Sequence, residues 1–441
     1  MPDKSDLLDK TKAVLKMNDR GNYTQPAGHL YPHQWLWDSC FIAIGMRHLD
    51  LERAKMEILS LQRGQWHNGM LPNIIFRDDS QYRTDRNMWR SWLNPYAPDD
   101  VTTTGITQPP MLAEAIVQIG AKMELPERRS WYRSTYHMLL SYHEWLYNER
   151  DPHGEGLTLQ IHPWETGLDN TPPWINELHE HKMPLYIRLI EKLHLSFFIM
   201  LFRRDTKSVP MDQRFSAIES VAMFDIQLRL RRKAFKINKI LDHSLFSIED
   251  LNFNCIFIRA NKHLREIAKS IKEELPEELT ARMKKSEEAL EQLWDPYTEQ
   301  YYSRDFVTHR LLKIPSIATL LPLYAGTISK ERARQLVKML ENENMFGPAY
   351  PVPSVPLNSD WFKPKGYWQG PSWINTNWLI IDGLKRYGFK EHAAALTESS
   401  LELVEKSGCS EYFDPITGEA AGAMDFSWTA SLAIDLMNAK S

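Results

Sequence analysis

Apolar residues recur at helical spacing through most of the chain. Residues 5–17 place Leu7, Val14 and Leu15 on one face, with Ser5 as a candidate N-cap. The same spacing predicts a helix that opens at 109–110 and further helices over about 38–49, 52–64, 127–148, 183–202, 216–241, 248–271, 276–294, 315–323, 329–341, 371–387, 390–406 and 427–438.

Strand-like alternation is confined to short pieces such as 156–161. Short turns at 48–52 and 387–390 predict antiparallel helical hairpins, and no fixed repeat period runs along the chain. Helical hairpins closed into a ring account for this many helices, although a less regular helical array would give the same pattern. The prediction is an all-α fold, an (α/α)6 barrel, formed by a single catalytic domain over 1–441.

The connections between the predicted helices include five long segments rich in Gly, Pro, Trp and Asn. They cover residues 19–38, 66–108, 150–182, 343–370 and 407–426. Loops of this length in a compact chain are usually functional or disordered, and their tryptophan content argues against disorder. We therefore expect a rigid helical scaffold that carries one loop-built, aromatic-lined site at one end.

The aromatic content points to the kind of ligand. The chain has 15 Trp, 17 Tyr and 17 Phe in 441 residues. Core packing uses aromatic residues as well, but here the tryptophans stand beside polar residues in particular segments. Aromatic rings offer broad apolar faces, on which the apolar C–H surfaces of sugars can stack. The distribution favours a carbohydrate site.

Charge and cysteine content exclude other classes of function. A formal net charge of −4 provides no field that would steer nucleic acid or mark a membrane surface. The basic run at 229–239 alternates with apolar residues at helical spacing, as a solvated helix face does. Cys40, Cys255 and Cys409 are scattered and include no C-x-x-C pair, and residues 1–16 lack the apolar core of a signal peptide. Reduced thiols and a cytoplasmic location are expected.

Four segments combine acids with tryptophan, glutamine and asparagine. They are YPHQWLWDS at 31–39, HPWETGLDNTPPW at 162–174, GYWQGPSWINTNW at 366–378, and SEYFDPITG at 410–418 followed by FSWTA at 426–430. Glycoside hydrolysis needs one acid that protonates the leaving oxygen and one carboxylate that attacks or activates water. A tryptophan-lined pocket desolvates an acid and raises its pKa, so a proton stays available near neutral pH.

These segments, in this order, resemble glycoside hydrolase family 63 and the trehalases, and within that clan the bacterial glucosylglycerate and mannosylglycerate hydrolases. The resemblance implies an (α/α)6 barrel and an inverting mechanism, with the Asp of W-E-T-G-L-D-N, Asp169, as general acid. It implies that the Glu of E-Y-F-D-P, Glu411, is the general base. Inverting enzymes hold the two carboxyl groups about 6.5–9.5 Å apart. Glu165 is the alternative acid, and support of the acid loop is the role we expect for it.

The resemblance also implies a set of sugar-binding residues. Asp38 matches a carboxylate that binds sugar hydroxyls, although it could instead cap the helix that follows. The remaining residues implied to line the sugar pocket are Tyr31, Trp35, Trp37, Trp164, Gly167, Tyr367, Trp368, Gln369, Gly370 and Trp373.

The leaving group decides the substrate. Glycerate carries a carboxylate, which an arginine binds through two parallel hydrogen bonds. The segment FRRDT at 202–206 resembles the glycerate-binding segment of these hydrolases, and Arg203 is preferred over Arg204. An ion pair with Asp205 is the alternative role for either arginine. By the same resemblance Tyr82 and Gln108 contact glycerate, and the polar stretch around Tyr82 is predicted to be a mobile flap.

The sequence predicts hydrolysis of a small glycoside without a metal or a nucleotide cofactor, since no dense oxygen-ligand loop and no Gly-rich phosphate loop occurs. No nucleic-acid or membrane partner is expected, and a homo-oligomer is left open. Three alternatives stay open: an α-glucosidase or trehalase acting on a neutral disaccharide, a non-catalytic sugar-binding protein, and an epimerase. An epimerase would use paired histidines, for which His179 and His181 are candidates.

Overall fold

Helices make up nearly all of the regular structure in the computed structural model, which describes residues 4–193, 195, 203, 205–241 and 244–439. Within these residues the helices are α1 Lys4–Asn18, α2 Leu36–Met46, α3 Leu51–Ser60, α4 Arg83–Trp89, α5 Leu112–Gly120, α6 Leu125–Arg150, α7 Pro172–Glu177, α8 Leu185–Lys192, α9 Ala217–Arg232, α10 Ile237–Ile240, α11 Leu251–Ile271, α12 Glu277–Ala289, α13 Pro322–Ala325, α14 Lys330–Glu341, α15 Ile374–Arg386, α16 Lys390–Ser407 and α17 Ser427–Asn438. None of these helices is long and apolar enough to cross a membrane.

Six of the helices form a closed inner ring. Around it α2 packs on α5, α5 on α11, α11 on α13, α13 on α15, α15 on α17, and α17 on α2 again. The outer helices are α1, α3, α6, α12, α14 and α16, and each packs on one or two members of the ring. The predicted (α/α)6 barrel is confirmed.

The sequence of each helix explains its layer. The inner helix α2, LWDSCFIAIGM, is apolar around most of its circumference and all of its residues are buried. The outer helix α14 buries only Ala333, Leu336, Val337 and Leu340. This spacing puts a single apolar stripe on the inward face of α14 and leaves its charged residues in water.

The inner helices all run in the same direction, because each follows an outer helix in the chain. Their amino ends therefore share one end of the barrel with the long loops. Trp35 precedes α2, Gln108 lies shortly before α5, Trp373 precedes α15 and Phe426 precedes α17. The motif segments predicted from the sequence are thus gathered at this end.

Strands are short and confined to this loop-rich part of the fold. The described residues contain four antiparallel pairs of two-residue strands, β1 Gln34–Trp35 with β2 Ile74–Ile75, β3 Ile248–Glu249 with β6 Arg304–Asp305, β4 Trp294–Asp295 with β5 Gln300–Tyr301, and β7 Tyr412–Phe413 with β8 Ala420–Ala421. The β7–β8 pair follows Glu411 directly, and Phe413 also forms a bridge with Ser372.

The first and last hairpins are joined by hydrogen bonds that close the barrel. The Asn18 side-chain amide donates to the carbonyl of Asp425 at 2.7 Å. The Ser427 hydroxyl donates to the carbonyl of Gln25 at 2.6 Å, and the Ser427 amide donates to the carbonyl of Pro26 at 2.8 Å. Residues from both ends of the chain therefore build one continuous wall.

Several local expectations differ from the structure. Residues 156–161 form no strand, and only Gln160 there makes a β-bridge, with Ile248. The helix expected over 216–241 is interrupted after Arg232, where Ala234 and Phe235 have φ of 50° and 58°. The flap predicted around Tyr82 contains the helix α4. Of the helix expected over 183–202, residues 194 and 196–202 lie outside the described residues.

Candidate active site

The loop that carries Asp169 lies between a turn at Pro163–Glu165 and the helix α7. Gly167 has φ of +75°, and a Cβ there would lie 2.6 Å from the Trp37 ring. Only glycine allows this loop to pack directly on Trp37. Because the loop lies against the start of α2, Asp169 is brought next to the segment that carries Asp38.

Glu165 anchors the same loop from inside the protein. Its side chain accepts hydrogen bonds from the Ile161 amide at 2.8 Å and the Thr107 amide at 3.1 Å. It also accepts one from the Arg150 guanidinium at 2.7 Å. With both carboxylate oxygens bound in this way, Glu165 fits the supporting role that the sequence favoured over the role of acid.

Asp169 is buried at this site and bonded to Tyr367. One of its oxygens accepts a hydrogen bond from the Tyr367 hydroxyl at 2.9 Å. Burial raises the pKa of Asp169 to about 7, against the opposing hydrogen bond of Tyr367, and the negative charge of Glu411 acts in the same direction as burial. A carboxyl group with this pKa keeps a substantial protonated fraction near neutral pH, a property that a general acid would need.

Glu411 has a different environment although it is almost fully buried, with 1% of its surface exposed. Its Oε1 accepts a hydrogen bond from the Tyr31 hydroxyl at 2.8 Å. Its Oε2 accepts hydrogen bonds from the Arg214 guanidinium and from the Ala423 amide, both at 2.9 Å. Arg214 therefore forms a buried ion pair with Glu411.

The hairpin after Glu411 permits this arrangement because of Gly422. This residue has φ of +73°, and a Cβ there would lie 2.6 Å from Glu411 Oε2. Glycine therefore lets the backbone pass close enough for the Ala423 amide to reach the carboxylate.

Asp38 is the third carboxylate at this end of the barrel. It lies in the first turn of α2, whereas the N-cap position is held by Trp35, so the alternative role of Asp38 as helix cap is wrong. Burial raises the pKa of Asp38 well above its usual range, and the charges of Glu411 and Asp169 add to the increase. The three carboxyl groups that the sequence singled out thus interact electrostatically.

The aromatic residues fall into two groups. Trp368 and Trp373 stack face to face, with ring centroids 3.7 Å apart, and at most 1% of either residue is exposed. They support Tyr367, whose ring lies 5.7 Å from that of Trp373. Tyr31, Trp35 and Trp164 are partly exposed, and the Tyr31 and Trp35 rings meet edge to face. The partly exposed rings are the ones available for stacking on a sugar.

Gln369 and Gly370 are bound to the protein itself. The Gln369 amide donates to the Asn170 carbonyl at 3.2 Å, and its oxygen accepts from Lys363 at 3.0 Å. The Gly370 amide donates to the Ser354 hydroxyl at 2.9 Å. Gln369 consequently anchors the loop that carries Asp169, through the carbonyl of the neighbouring residue Asn170.

Gln108 and the flap lie farther along the same rim. The Gln108 side chain accepts a hydrogen bond from the Trp37 amide at 3.4 Å. The Tyr82 ring lies 4.8 Å from the His33 ring, and Trp89 at the end of α4 lies 6.0 Å from Trp164. The flap therefore rests on two of the motif segments. The structure does not bring Tyr82 against the catalytic carboxylates.

The arginines of the segment 202–206 are described only in part. Arg203 forms two hydrogen bonds with Asp205, at 3.0 and 2.5 Å, and donates to the Phe215 carbonyl at 2.6 Å. This is the ion pair that the sequence offered as the alternative. Arg204 lies outside the described residues.

Arg214 is the site residue that the sequence did not reveal. It is bonded to both Tyr31 and Glu411, and its guanidinium lies 4.9 Å from the centre of the Tyr367 ring. It precedes the capping box that opens α9, formed by Ser216 and Glu219. Nothing in that local pattern distinguishes it from an ordinary arginine before a helix.

The histidines considered for an epimerase do not form a pair at this site. His179 lies 3.8 Å from Glu219, and His181 is exposed. They therefore give no support to epimerase chemistry.

Comparisons with known proteins show which family the chain resembles. Residues 31–429 match the family model described as the mannosylglycerate hydrolase MGH1-like glycoside hydrolase domain. The chain is 37% identical over 431 residues to a mannosylglycerate hydrolase of Thermus thermophilus, which covers 96% of this chain and 99% of that protein. It is 30% identical over 454 residues to a glucosylglycerate hydrolase of Mycolicibacterium hassiacum, with 97% of each chain covered.

Solved structures show the same relationship. A GH63 mannosylglycerate hydrolase from Thermus thermophilus, in complex with Tris and D-glycerate, aligns with a TM-score of 0.87 at 36% identity. The alignment covers 98% of this chain and 100% of that one. A neutral trehalase from Saccharomyces cerevisiae, at 15% identity and a TM-score of 0.58, shares the fold.

Proposed function

The chain belongs to the mannosylglycerate hydrolase MGH1-like family, within glycoside hydrolase family 63, and on this premise we propose that it hydrolyses mannosylglycerate, glucosylglycerate or both. Family membership makes it a glycosidase, as the motif segments predicted. The products would be a hexose and glycerate. The relatives that carry these two names match nearly the whole chain, which supports one catalytic domain over 1–441.

The difference between the two carboxyl groups carries the mechanism. Asp169 has a pKa raised to about 7 by burial, and it would give its proton to the glycosidic oxygen. Glu411 forms an ion pair with Arg214 and would take a proton from water. Attack by that water on the opposite side of the anomeric carbon breaks the bond to glycerate and inverts the configuration.

Unpartnered polar atoms around the site support sugar binding. Trp35 Nε1, Trp373 Nε1 and Asn170 Oδ1 are buried without a hydrogen-bond partner among the described residues. Buried polar groups normally have partners, so hydroxyl groups of a bound hexose are suitable occupants. We propose that Asp38, Trp35 and Trp37 bind the hexose, and that Trp164, Gly167 and the Tyr367–Trp373 segment complete its pocket.

The leaving group is assigned from the relatives' names and from the arginine segment. Arg203, together with Tyr82 and Gln108, is proposed to lie on the glycerate side. The ion pair between Arg203 and Asp205 is a specific observation that favours a second candidate, a neutral α-glucoside or trehalose. A guanidinium already bound by a carboxylate has less capacity to select an anionic aglycone.

A time course followed by NMR tests the proposal. Purified protein is mixed separately with glucosylglycerate, mannosylglycerate and trehalose, and the first-formed anomer of the released sugar is recorded. We expect release of glycerate with inversion from at least one of the first two substrates. Retention of configuration would contradict the role of Glu411, and turnover of trehalose alone would replace the proposed substrate with the neutral one.

The variant Arg203→Ala sharpens the choice of leaving group. If Arg203 binds the glycerate carboxylate, KM for the glycosylglycerate rises about 10-fold or more, as loss of a charge-assisted hydrogen bond predicts. A matched control is Arg229→Ala, which removes a partly exposed ion pair with Asp225 on α9. Unchanged KM in both variants would remove Arg203 from the substrate site.

A further inference from the structure

Arg214 is a buried arginine whose guanidinium contacts residues on both sides of the proposed reaction centre. Its side chain is 4% exposed, and it donates to Tyr31 Oη at 2.8 Å and to Glu411 Oε2 at 2.9 Å. Its planar group also lies 4.9 Å from the Tyr367 ring centre and 5.6 Å from that of Tyr31. Tyr367 in turn bonds Asp169.

These contacts occupy most of the hydrogen-bonding capacity of Glu411. A carboxylate offers about two acceptor positions on each oxygen. On Oε2 both positions are taken, by Arg214 and by the Ala423 amide. On Oε1 one position is taken by the Tyr31 hydroxyl, which leaves one position for water.

The same contacts fix the Tyr31 hydroxyl. Its oxygen accepts a hydrogen bond from Arg214, and its proton is donated to Glu411. Arg214, Tyr31 and Glu411 therefore form a closed ring of hydrogen bonds in which each donor has a defined direction. Rotation of the carboxylate would break at least one charge-assisted hydrogen bond.

The backbone before Arg214 is attached to the hairpin that carries Glu411. The Gln213 carbonyl accepts from the Tyr412 hydroxyl at 2.7 Å, and the Gln213 side chain accepts from the Gly422 amide at 2.9 Å. The arginine and the carboxylate are consequently held by one rigid unit, although they are distant in sequence. This attachment limits how far Arg214 can move from Glu411.

We propose that Arg214 is a positioning residue that, with Tyr31, fixes Glu411 so that the attacking water binds at the remaining acceptor position of Oε1. The proposal rests on the proposed inverting hydrolysis and deepens it. In the reaction, the water oxygen bonds to the anomeric carbon while one water proton passes to Glu411 Oε1. The bond from that carbon to the leaving oxygen breaks, and this oxygen takes the proton of Asp169.

The test compares Arg214→Met and Arg214→Lys with Glu411→Gln and Asp169→Asn on the natural glycoside. We expect Arg214→Met to lower kcat about 10²-fold with little change in KM, because a misdirected base loses much of the 10²- to 10⁴-fold contribution of general base catalysis. Arg214→Lys keeps the positive charge but lacks the planar guanidinium that donates two hydrogen bonds at once. Its kcat is expected to lie between those of Arg214→Met and the unmodified protein.

A glycosyl fluoride of the same hexose separates the base side from the acid side. Fluoride leaves without a proton, so Asp169→Asn should recover much of its activity on this substrate. Arg214→Met and Glu411→Gln should lose as much on the fluoride as on the glycoside. If Arg214→Met recovers its activity on the fluoride, its effect on the glycoside acts through the proton donor Asp169, and the proposal is overturned.

A second measurement does not depend on the fluoride being accepted. Guanidinium ion at millimolar concentration is added to Arg214→Ala, whose missing side chain leaves space for it beside Glu411. We expect kcat on the glycoside to rise several-fold, whereas Glu411→Gln gains nothing. Absence of rescue, together with an unchanged kcat in Arg214→Lys, would show that kcat depends neither on the added cation nor on the planar guanidinium of Arg214. That result would overturn the proposal.

Arg304→Met is the matched control for loss of a buried arginine. Arg304 on β6 pairs with Glu249 on β3 and with Glu155 in the loop after α6, and none of its ion pairs is with Asp38, Asp169 or Glu411. This variant should lose stability but keep kcat per folded molecule and show no response to guanidinium. Activity of the unmodified protein on each glycoside tests the proposed function by itself. The Arg214 variants are then compared on whichever glycoside the unmodified protein hydrolyses, so the two proposals can fail independently.

Discussion

The barrel buries carboxylates in two layers that differ in how each charge is compensated. Asp38 and Asp169, at the loop-rich end of the barrel, have pKa values raised above the usual range, chiefly by burial. About two and a half turns along α2 from Asp38, around Arg47, lies a second layer. There Glu114 and Asp435 are also almost fully buried, but burial is outweighed and the pKa of each is lowered.

Hydrogen-bond partners account for the difference. Glu114 accepts from His263 at 2.7 Å, from Tyr324 at 2.8 Å and from Gln118 at 2.8 Å. Asp435 is bound by Arg47 and His48, both at 2.8 Å. Buried carboxylates with such partners join helices together. At the site, where Arg214 is bound to Glu411, burial of the other two carboxyl groups is compensated more weakly, and their pKa values are raised.

The largest expected effect is that of Asp169→Asn. This variant should lower kcat on the natural glycoside about 10³-fold, because the leaving oxygen loses its proton donor. The free energy of unfolding should stay the same or rise, since the change removes a charge that burial disfavours. Kinetics and urea denaturation measure the two quantities. A loss of stability with kcat retained would assign Asp169 to the structural layer.

Glu114→Gln should show the opposite behaviour. Removal of one partner from a buried ion pair destabilises a protein by about 3–5 kcal/mol, so we expect a clear fall in the free energy of unfolding. The kcat per folded molecule should change little. The exposed pair of Glu341 with His392 supplies a control, because Glu341→Gln should cost less than about 1 kcal/mol. A large loss of kcat from Glu114→Gln would erase the distinction between the layers.

The smallest effect is a pH dependence. With a pKa of about 7 in the folded protein, Asp169 must stay protonated to act, so kcat/KM should fall about 10-fold per pH unit above that value. The raised pKa also contributes stability that is fully present below pH 3.8 and is lost as pH rises through about 7. Denaturant titrations of Asp169→Asn should show a flatter dependence over this window. If Asp169→Asn keeps residual activity and its kcat/KM still falls above pH 7 as in the unmodified protein, the assignment of this pKa to Asp169 is contradicted.

The helical hairpins could be predicted from the sequence because each long helix repeats its apolar stripe over several turns. The motifs that carry Asp169 and Glu411 could be recognised because each is local in sequence, and their catalytic roles remain a proposal. The helices α4 and α7 were missed, since seven and six residues give too few turns to establish a period. The interruption of the helix expected over 216–241 depends on the backbone of Ala234 and Phe235, which the apolar pattern does not encode.

Arg214 could not be predicted for a different reason. Its role depends on a contact with Glu411, 197 residues away, that exists only once the barrel has closed. The stacking of Trp368 on Trp373 is likewise tertiary, although both residues lie in a recognised motif. Local sequence thus pointed to the two carboxyl groups proposed to react, whereas the residues that contact them emerged from packing.

The hydrogen bonds that join Asn18 and Gln25 to Asp425 and Ser427 bear on how the chain folds. Loop closure between segments so far apart is slow and must await most of the other contacts. During synthesis the inner ring cannot close before α17 has left the ribosome, although earlier hairpins can form. Tyr31 and Glu411, 380 residues apart, meet only at that last step. A nascent or prematurely terminated chain would therefore be unable to hydrolyse glycosides.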